Sequence, residues 1–268
     1  MTILPFLASS VVVLSNSFGR VEIDLHGAKL LSYVPAGSTE VIAPPQTSNF
    51  KPQTWVHGGV PVCWPWFYDK GPDGLANLHG TARNADFTVI SKSPDAVTLE
   101  YIKPSTVLRF VCELGERLKL RLVSTNNGST PVEITEGLHA YFLIRDPAEA
   151  QIDGLKGVPY TTKRYSKTPE PSVCSGPMSL KGANDIYDIT AGTFIVSDRS
   201  AGRDIVLTAS GMEQLTIWNG ETCPAGMVCV EPIIYRKPIV LGPGQTHEMV
   251  LTVAWSLPVF WQKKHYPQ

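Results

Sequence analysis

Short runs of β-branched and apolar residues, each closed off by Gly, Pro, Asn, Asp or Ser, recur along the whole chain and restrict it to a fold built from sheets. They include Val11 to Leu14, Val21 to Leu25, Lys29 to Val34, Phe87 to Ser91, Ala96 to Tyr101 and Val107 to Leu114. Such residues suit a pleated, half-buried surface, and the punctuating residues end each run. Val107–Leu114 and Leu118–Ser124 are separated by Gly115-Glu116-Arg117, a hairpin-length connection containing glycine. After the turn at Thr125–Ser129 come Val132 to Thr135, Leu138 to Ile144, Gln151 to Asp153, Phe194 to Val196, Ile205 to Ala209, Leu215 to Trp218, Met227 to Val230 and His247 to Trp255. The 22 prolines and 22 glycines argue against long helices. The expectation is an all-β chain of antiparallel sheets folded into a sandwich. With 268 residues, 43% of them hydrophobic, and no shift in composition, residues 1–268 read as one domain.

Charge and cysteine usage narrow the partners. A net charge of −1 gives no electrostatic footprint for nucleic acid or an anionic membrane, and points instead to a small neutral or singly anionic molecule. The five cysteines contain no CxxC pair and no disulfide-like spacing, which suits a reducing, cytoplasmic setting. The apolar start MTILPFLASSVVVL lacks a basic n-region and runs into a strand pattern, so it is expected to stay in the protein rather than serve as a secretion signal. No apolar stretch reaches the ~20 residues of a membrane span, so a soluble protein, taken as a monomer, is expected. GxSxG, HExxH, zinc-ligand spacings and Gly-rich phosphate loops are all missing from the sequence. That leaves no expected metal and no nucleotide cofactor.

The least regular stretches are Ile42 to Thr54, Trp55 to Asn84 and Lys156 to Asn184, and long loops in a compact β domain are usually functional. Trp55 to Asn84, WVHGGVPVCWPWFYDKGPDGLANLHGTARN, mixes His57, His79 and Arg83 with glycines, prolines and aromatics such as Trp64. Pyranose faces stack on Trp and Tyr, glycines admit close backbone approach, and imidazole and guanidinium supply directed hydrogen bonds. Taken alone, the segment equally suits an ordinary Pro/Gly loop over core aromatics. His139 shares a strand face with Tyr141, while Leu138, Ala140 and Phe142 take the other, and a lone strand histidine is more often a solvated or hydrogen-bonded structural residue than a catalytic one. Glu231 closes the run Met227 to Val230 ahead of Pro232, as either a surface charge or a base with a tuned environment. Asp185 fits a turn or a ligand to sugar hydroxyls.

An ordered set of motifs then makes the chain resemble the glucose-6-phosphate 1-epimerase branch of the aldose 1-epimerase, or galactose mutarotase-like, superfamily. The family's RGGIPxCWPWF is similar to His57–Phe67, HGFAR to His79–Arg83, LHxYF to Leu138–Phe142 and GLxGxxYxxK to Gly154–Lys163. Its D-x-Y resembles Asp185-Ile186-Tyr187, WNP resembles Trp218-Asn219, CVEP is Cys229–Pro232, and LxPGQ resembles Leu241–Gln245. The resemblance spans the chain to about Trp255 and implies the antiparallel β-supersandwich.

It also implies His139 and Glu231 as acid and base, with His57, His79, Arg83, Asp185, Trp64 and Trp218 binding a sugar or sugar phosphate. The chemistry is consistent with that. Anomer exchange removes the proton of the C1 hydroxyl while protonating the ring oxygen, then recloses the ring on the other face. It calls for one base and one acid meeting at C1 from two sides, and for no cofactor. A carboxylate, ordinary pKa about 4.3, is ionised at neutral pH, and an imidazole, about 6.5, can give a proton and take it back. Three differences from the family pattern bear on substrate. His57 stands where the family has arginine, Thr81 replaces phenylalanine, and only Gly220 to Val228 separate the WNP-like and CVEP elements. A mutarotase of unphosphorylated or modified sugars, or a non-catalytic carbohydrate-binding sandwich, are the alternatives.

Overall fold

A computed structural model describes residues 11–46, 57–69, 71, 78–162 and 171–256. Trp55 and Lys163, both within motifs noted above, lie outside the described residues. Among the described residues the strands form three sheets, and every strand pairing is antiparallel. Strands β1 (Val11–Asn16), β2 (Gly19–Asp24) and β3 (Lys29–Pro35) make the smallest.

A nine-stranded sheet runs in the order β14 (Met178–Ser179), β11 (Ala150–Asp153), β16 (Ala191–Asp198), β17 (Arg203–Ser210), β20 (Thr246–Ser256), β8 (Leu118–Asn126), β7 (Thr106–Leu114), β6 (Ala96–Lys103), β5 (Thr88–Lys92). The eight-stranded sheet runs β13 (Pro171–Val173), β12 (Pro159–Thr162), β15 (Asn184–Asp188), β18 (Gln214–Trp218), β19 (Met227–Leu241), β9 (Val132–Leu138), β4 (Val62–Cys63), with β10 (Tyr141–Leu143) also against β19. The one helix among the described residues is a 3-10 turn at Ala82–Asn84, so none is long and apolar enough to cross a membrane.

The two large sheets share one core. Leu120, Leu122, Leu207 and Leu251 from one side meet Leu138, Phe142, Ile217 and Val230 from the other. Burial alternates strictly along β8 and β17, as a sheet with one wet face requires. Strand β19 breaks that rule, since Met227 to Ile234 are all buried. Its second face is covered as well.

The fold is the antiparallel β architecture expected, but two local readings need correction. Glu231 does not end a strand: β19 continues through Pro232 to Leu241 with a register shift between Ile234 and Ile239, so Glu231 lies deep inside the sheet. The stretch Lys156 to Asn184 is not one irregular loop, because β12, β13, β14 and the start of β15 fall in it. Each is too short to leave a period-2 pattern.

Candidate active site

The covered face of β19 carries the chemistry, and strand register says which side chains share it. Gly137 opposes Ile233 and Tyr141 opposes Cys229, which sets His139 across from Glu231 in the step between β9 and β10. Glu231 opposes Thr216 on β18, and Cys229 opposes Trp218. Paired residues in antiparallel strands share a face. His139, Tyr141, Thr216, Trp218, Cys229 and Glu231 are thereby gathered on one surface.

Residues 139 and 231, far apart in the chain, meet directly. His139 Nε2 is 3.4 Å from Glu231 Oε2, and the two side chains are only 3% and 0% exposed. Burying a carboxylate that deeply is costly unless a charged or hydrogen-bonding partner offsets it, and the imidazole is that partner. The two groups stand side by side on one wall and do not flank a gap from opposite sides. That still suits one hemiacetal centre, whose hydroxyl and ring oxygens are bonded to the same carbon.

Around this pair the rings form an arc. Trp218 stacks on His57 at 5.7 Å, and His57 meets Tyr141 edge-on and shares a 3.0 Å hydrogen bond between Nδ1 and the phenol oxygen. Tyr141 stacks on His139 at 4.8 Å, His139 meets His79 at 5.2 Å, and His79 packs edge-on against Phe67 and Tyr68. The Tyr68 N–H donates to His79 Nδ1 at 3.3 Å, which leaves the ring proton of neutral His79 on Nε2.

Local backbone sets His79 in place. It adopts φ 65°, a left-handed conformation uncommon outside glycine, and its own N–H is held by the Tyr68 carbonyl at 2.9 Å. Gly80 follows at φ 81°, where an added Cβ would lie 2.2 Å from the Trp64 carbonyl oxygen. Gly80→Ala is therefore expected to cost about 2 kcal/mol or more, through left-handed strain and that clash. A urea midpoint equal to wild type would show that the loop yields without penalty.

Charge enters from one side. Arg83 donates through Nε to the Leu78 carbonyl at 2.9 Å, and burial holds its guanidinium below the usual value. Burial also pushes the Cys63 thiol well up, with the Glu231 charge adding to the rise and Arg83 opposing it, so the guanidinium acts near this face. Lys29 lies along Gly59, whose added Cβ would meet the Lys29 side chain at 3.1 Å. Burial lowers its ammonium, Asp24 pulls the other way, and Arg83 adds to the drop. His57, lowered by burial, is neutral at neutral pH.

Of the residues singled out in the sequence, His57, His79, His139, Trp218 and Glu231 come together, with Arg83 beside them. Trp64 and Asp185 do not join them. Cys63 shares the Gly137–Ile233 rung, so Trp64 points to the core, where it is fully buried, donates to Ser124 Oγ at 3.0 Å and packs on Tyr101. Asp185 pairs with Ile217, which pairs with Val230, placing it on the face opposite Glu231 and near Tyr187. Pleat parity separates both from the arc. Sequence reasoning missed Tyr141, Thr216, Cys229 and Lys29. Parity from His139 and Glu231 could have found Tyr141 and Cys229, whereas Lys29 and Thr216 are brought in by strand pairings that leave no local signal.

Comparison with known proteins bears on the family and the fold. A protein of Cenchrus ciliaris provisionally named glucose-6-phosphate 1-epimerase is 25% identical over 258 residues, 84% of this chain and 78% of its own length. One of Escherichia coli K12 with the same provisional name is 32% identical over 158 residues, 54% of this chain and 52% of that protein. Among solved structures, a provisionally assigned mutarotase of Salmonella typhimurium superposes with TM-score 0.80 at 21% identity, covering 92% of this chain and 90% of that one. A galactose mutarotase-like protein of Lactobacillus casei gives 0.77 at 19% identity, with coverage of 92% and 100%. At such identities the structures speak to the fold. The family model described as aldose 1-epimerase matches residues 10–254, and with that match over nearly the whole described fold the chain belongs to the aldose 1-epimerase family.

Proposed function

We propose that this chain is a cofactor-independent hexose-6-phosphate 1-epimerase, in which Glu231 is the base at the C1 hydroxyl and His139 the acid at the ring oxygen. The observation that carries the reading is the 3.4 Å approach of these two buried side chains inside an arc of rings. Glu231 takes the C1 hydroxyl proton as His139 gives one to the ring oxygen. The C1–O5 bond opens to the aldehyde, rotation about C1–C2 exposes the other face, and the reverse transfers close the ring. His79 Nε2 donates to a sugar hydroxyl, and Trp218 with His57 lines the pyranose. On this reading the protein works as one cytoplasmic domain and a monomer, with the sugar as its only partner.

Phosphate specificity rests on Arg83 with Lys29, because neutral His57 cannot replace the bidentate clamp of an arginine. The names of the Cenchrus ciliaris and Escherichia coli relatives support the same substrate class. The deciding experiment follows anomer exchange by NMR with glucose, galactose and glucose 6-phosphate in parallel, and the phosphate ester is expected to exchange fastest. Preference for a free hexose would move the assignment to an unphosphorylated aldose. No acceleration of any sugar over buffer would leave a carbohydrate-binding protein. His57→Arg is expected to raise the kcat/KM ratio of glucose 6-phosphate to glucose, and an unchanged ratio would show that residue 57 does not face the phosphate.

A further inference from the structure

The centre of this face also carries a donor set for a soft divalent cation, which the linear spacing of histidines and cysteines hides. One ligand atom each from His139, Cys229 and Glu231 lies within 4.8 Å of the other two, and all three residues are buried. Cys229 and Glu231 are two apart on one strand and so share a face, and His139 sits across from Glu231. We propose that these three side chains form a zinc-type site overlapping the place of the sugar's reacting end, so that metal and sugar exclude each other.

Donor chemistry selects the ion. Thiolate, imidazole and carboxylate with one position left open is a set that Zn²⁺ accepts, while Mg²⁺ and Ca²⁺ call for oxygen ligands. Metal–ligand bonds of about 2.0–2.3 Å in a tetrahedron set the donor atoms roughly 3.3–3.8 Å apart. His139 Nε2 and Glu231 Oε2 already stand at 3.4 Å, so the remaining closure is a small movement of the Cys229 side chain. Charge also balances, since a dication held by one thiolate and one carboxylate is neutral, the form that a buried site tolerates. Binding deprotonates the Cys229 Sγ–H and releases that proton to solvent.

Two neighbours support the ligands. Tyr141 stacks on the His139 ring and fixes its plane. Thr216 Oγ1 is fully buried, finds no hydrogen-bond partner among the described residues, and lies in the rung next to Glu231. It can donate to the carboxylate or to the group in the open position, as outer hydroxyls do at metal centres. Metal binding stands on the donor geometry alone; only its inhibitory effect rests on the proposed roles of His139 and Glu231.

Cobalt(II) added to the chelator-treated full chain reads the site directly. One equivalent is expected to produce a thiolate-to-cobalt charge-transfer band that Zn²⁺ abolishes and excess hexose phosphate weakens, and Zn²⁺ should suppress anomer exchange until a chelator restores it. Cys229→Ser should lose the band and require at least about tenfold more Zn²⁺ to suppress, relative to its own metal-free rate, the anomer exchange it retains. Should that variant not fold, Glu231→Gln, close to isosteric, must weaken cobalt binding by a similar factor. No thiolate band in the wild type, or one that persists in Cys229→Ser, overturns the site. A normal band with exchange untouched by Zn²⁺ overturns the overlap with the sugar. A normal band in protein that never exchanges anomers counts against the epimerase reading and leaves the metal site standing.

Discussion

Glu231→Gln is expected to lower enzyme-dependent anomer exchange by about 10²- to 10⁴-fold, the usual worth of a general acid–base group. The substitution keeps the volume and planar shape of a fully buried side chain at the centre of β19, so neither packing nor sheet register gives a reason for the protein to unfold. What it removes is the ability to take a proton from the C1 hydroxyl. Sugar affinity should stay within about tenfold, or 1.4 kcal/mol, because the arc from Trp218 to His79 is untouched. Exchange NMR with the enzyme-free rate subtracted, alongside a binding titration, separates the two effects. Because His139 and Glu231 act as one unit, adding His139→Gln should cost little beyond either single change. Near-wild-type exchange in Glu231→Gln removes Glu231 from the mechanism.

How much of this could be read from the chain depends on whether the information was local. Strands such as β7 and β8 advertise themselves through alternation and a hairpin connection, so the sheet-built class was plain. The continuation of β19 past Pro232 was not legible, because a proline after a short run looks like an ending and only pairing with β18 and β9 overrides it. The same non-locality split the site. His139 and Glu231 stood out as polar residues in apolar runs, and the motif resemblance paired them. Trp64 and Asp185 stood out equally, yet one step of the pleat turns each to the core, where Trp64 supports the fold instead of a sugar. Lys29 reaches the site from the far end of the sequence, so no local pattern could have placed it there.

Behind the site, Trp64 begins a buried polar chain whose removal should be the largest single loss of stability. Its indole N–H donates to Ser124 Oγ, the Ser124 hydroxyl donates to Glu136 Oε2 at 2.5 Å, and His247 Nδ1 donates to Glu136 Oε1 at 2.9 Å. Ser124 and His247 are cross-strand neighbours on β8 and β20, so Glu136 of β9 ties the eight-stranded sheet to the nine-stranded one. Glu136→Ala leaves the buried Ser124 hydroxyl without its acceptor and takes from His247 its carboxylate partner, leaving that ring only the Gly211 carbonyl, a loss of about 3 kcal/mol. For a chain of this size that is a fall in Tm on the order of 10 °C. Glu136→Gln should cost less and should also change the pH dependence. Desolvation alone would lower His247, but the hydrogen bond and charge of Glu136, the Gly211 carbonyl and Glu213 outweigh it, and the net shift is upward; Glu248 also lies close enough to feel its charge. A raised pKa stabilises the folded state fully below the unfolded value of about 6.5 and loses that contribution as pH rises through the folded value. The stability gap between wild type and Glu136→Gln is therefore expected to be widest near pH 6 and to narrow as pH rises from neutral through the raised His247 value. Denaturant midpoints across that range check it, and a constant gap would mean that His247 carries no charge in the folded protein.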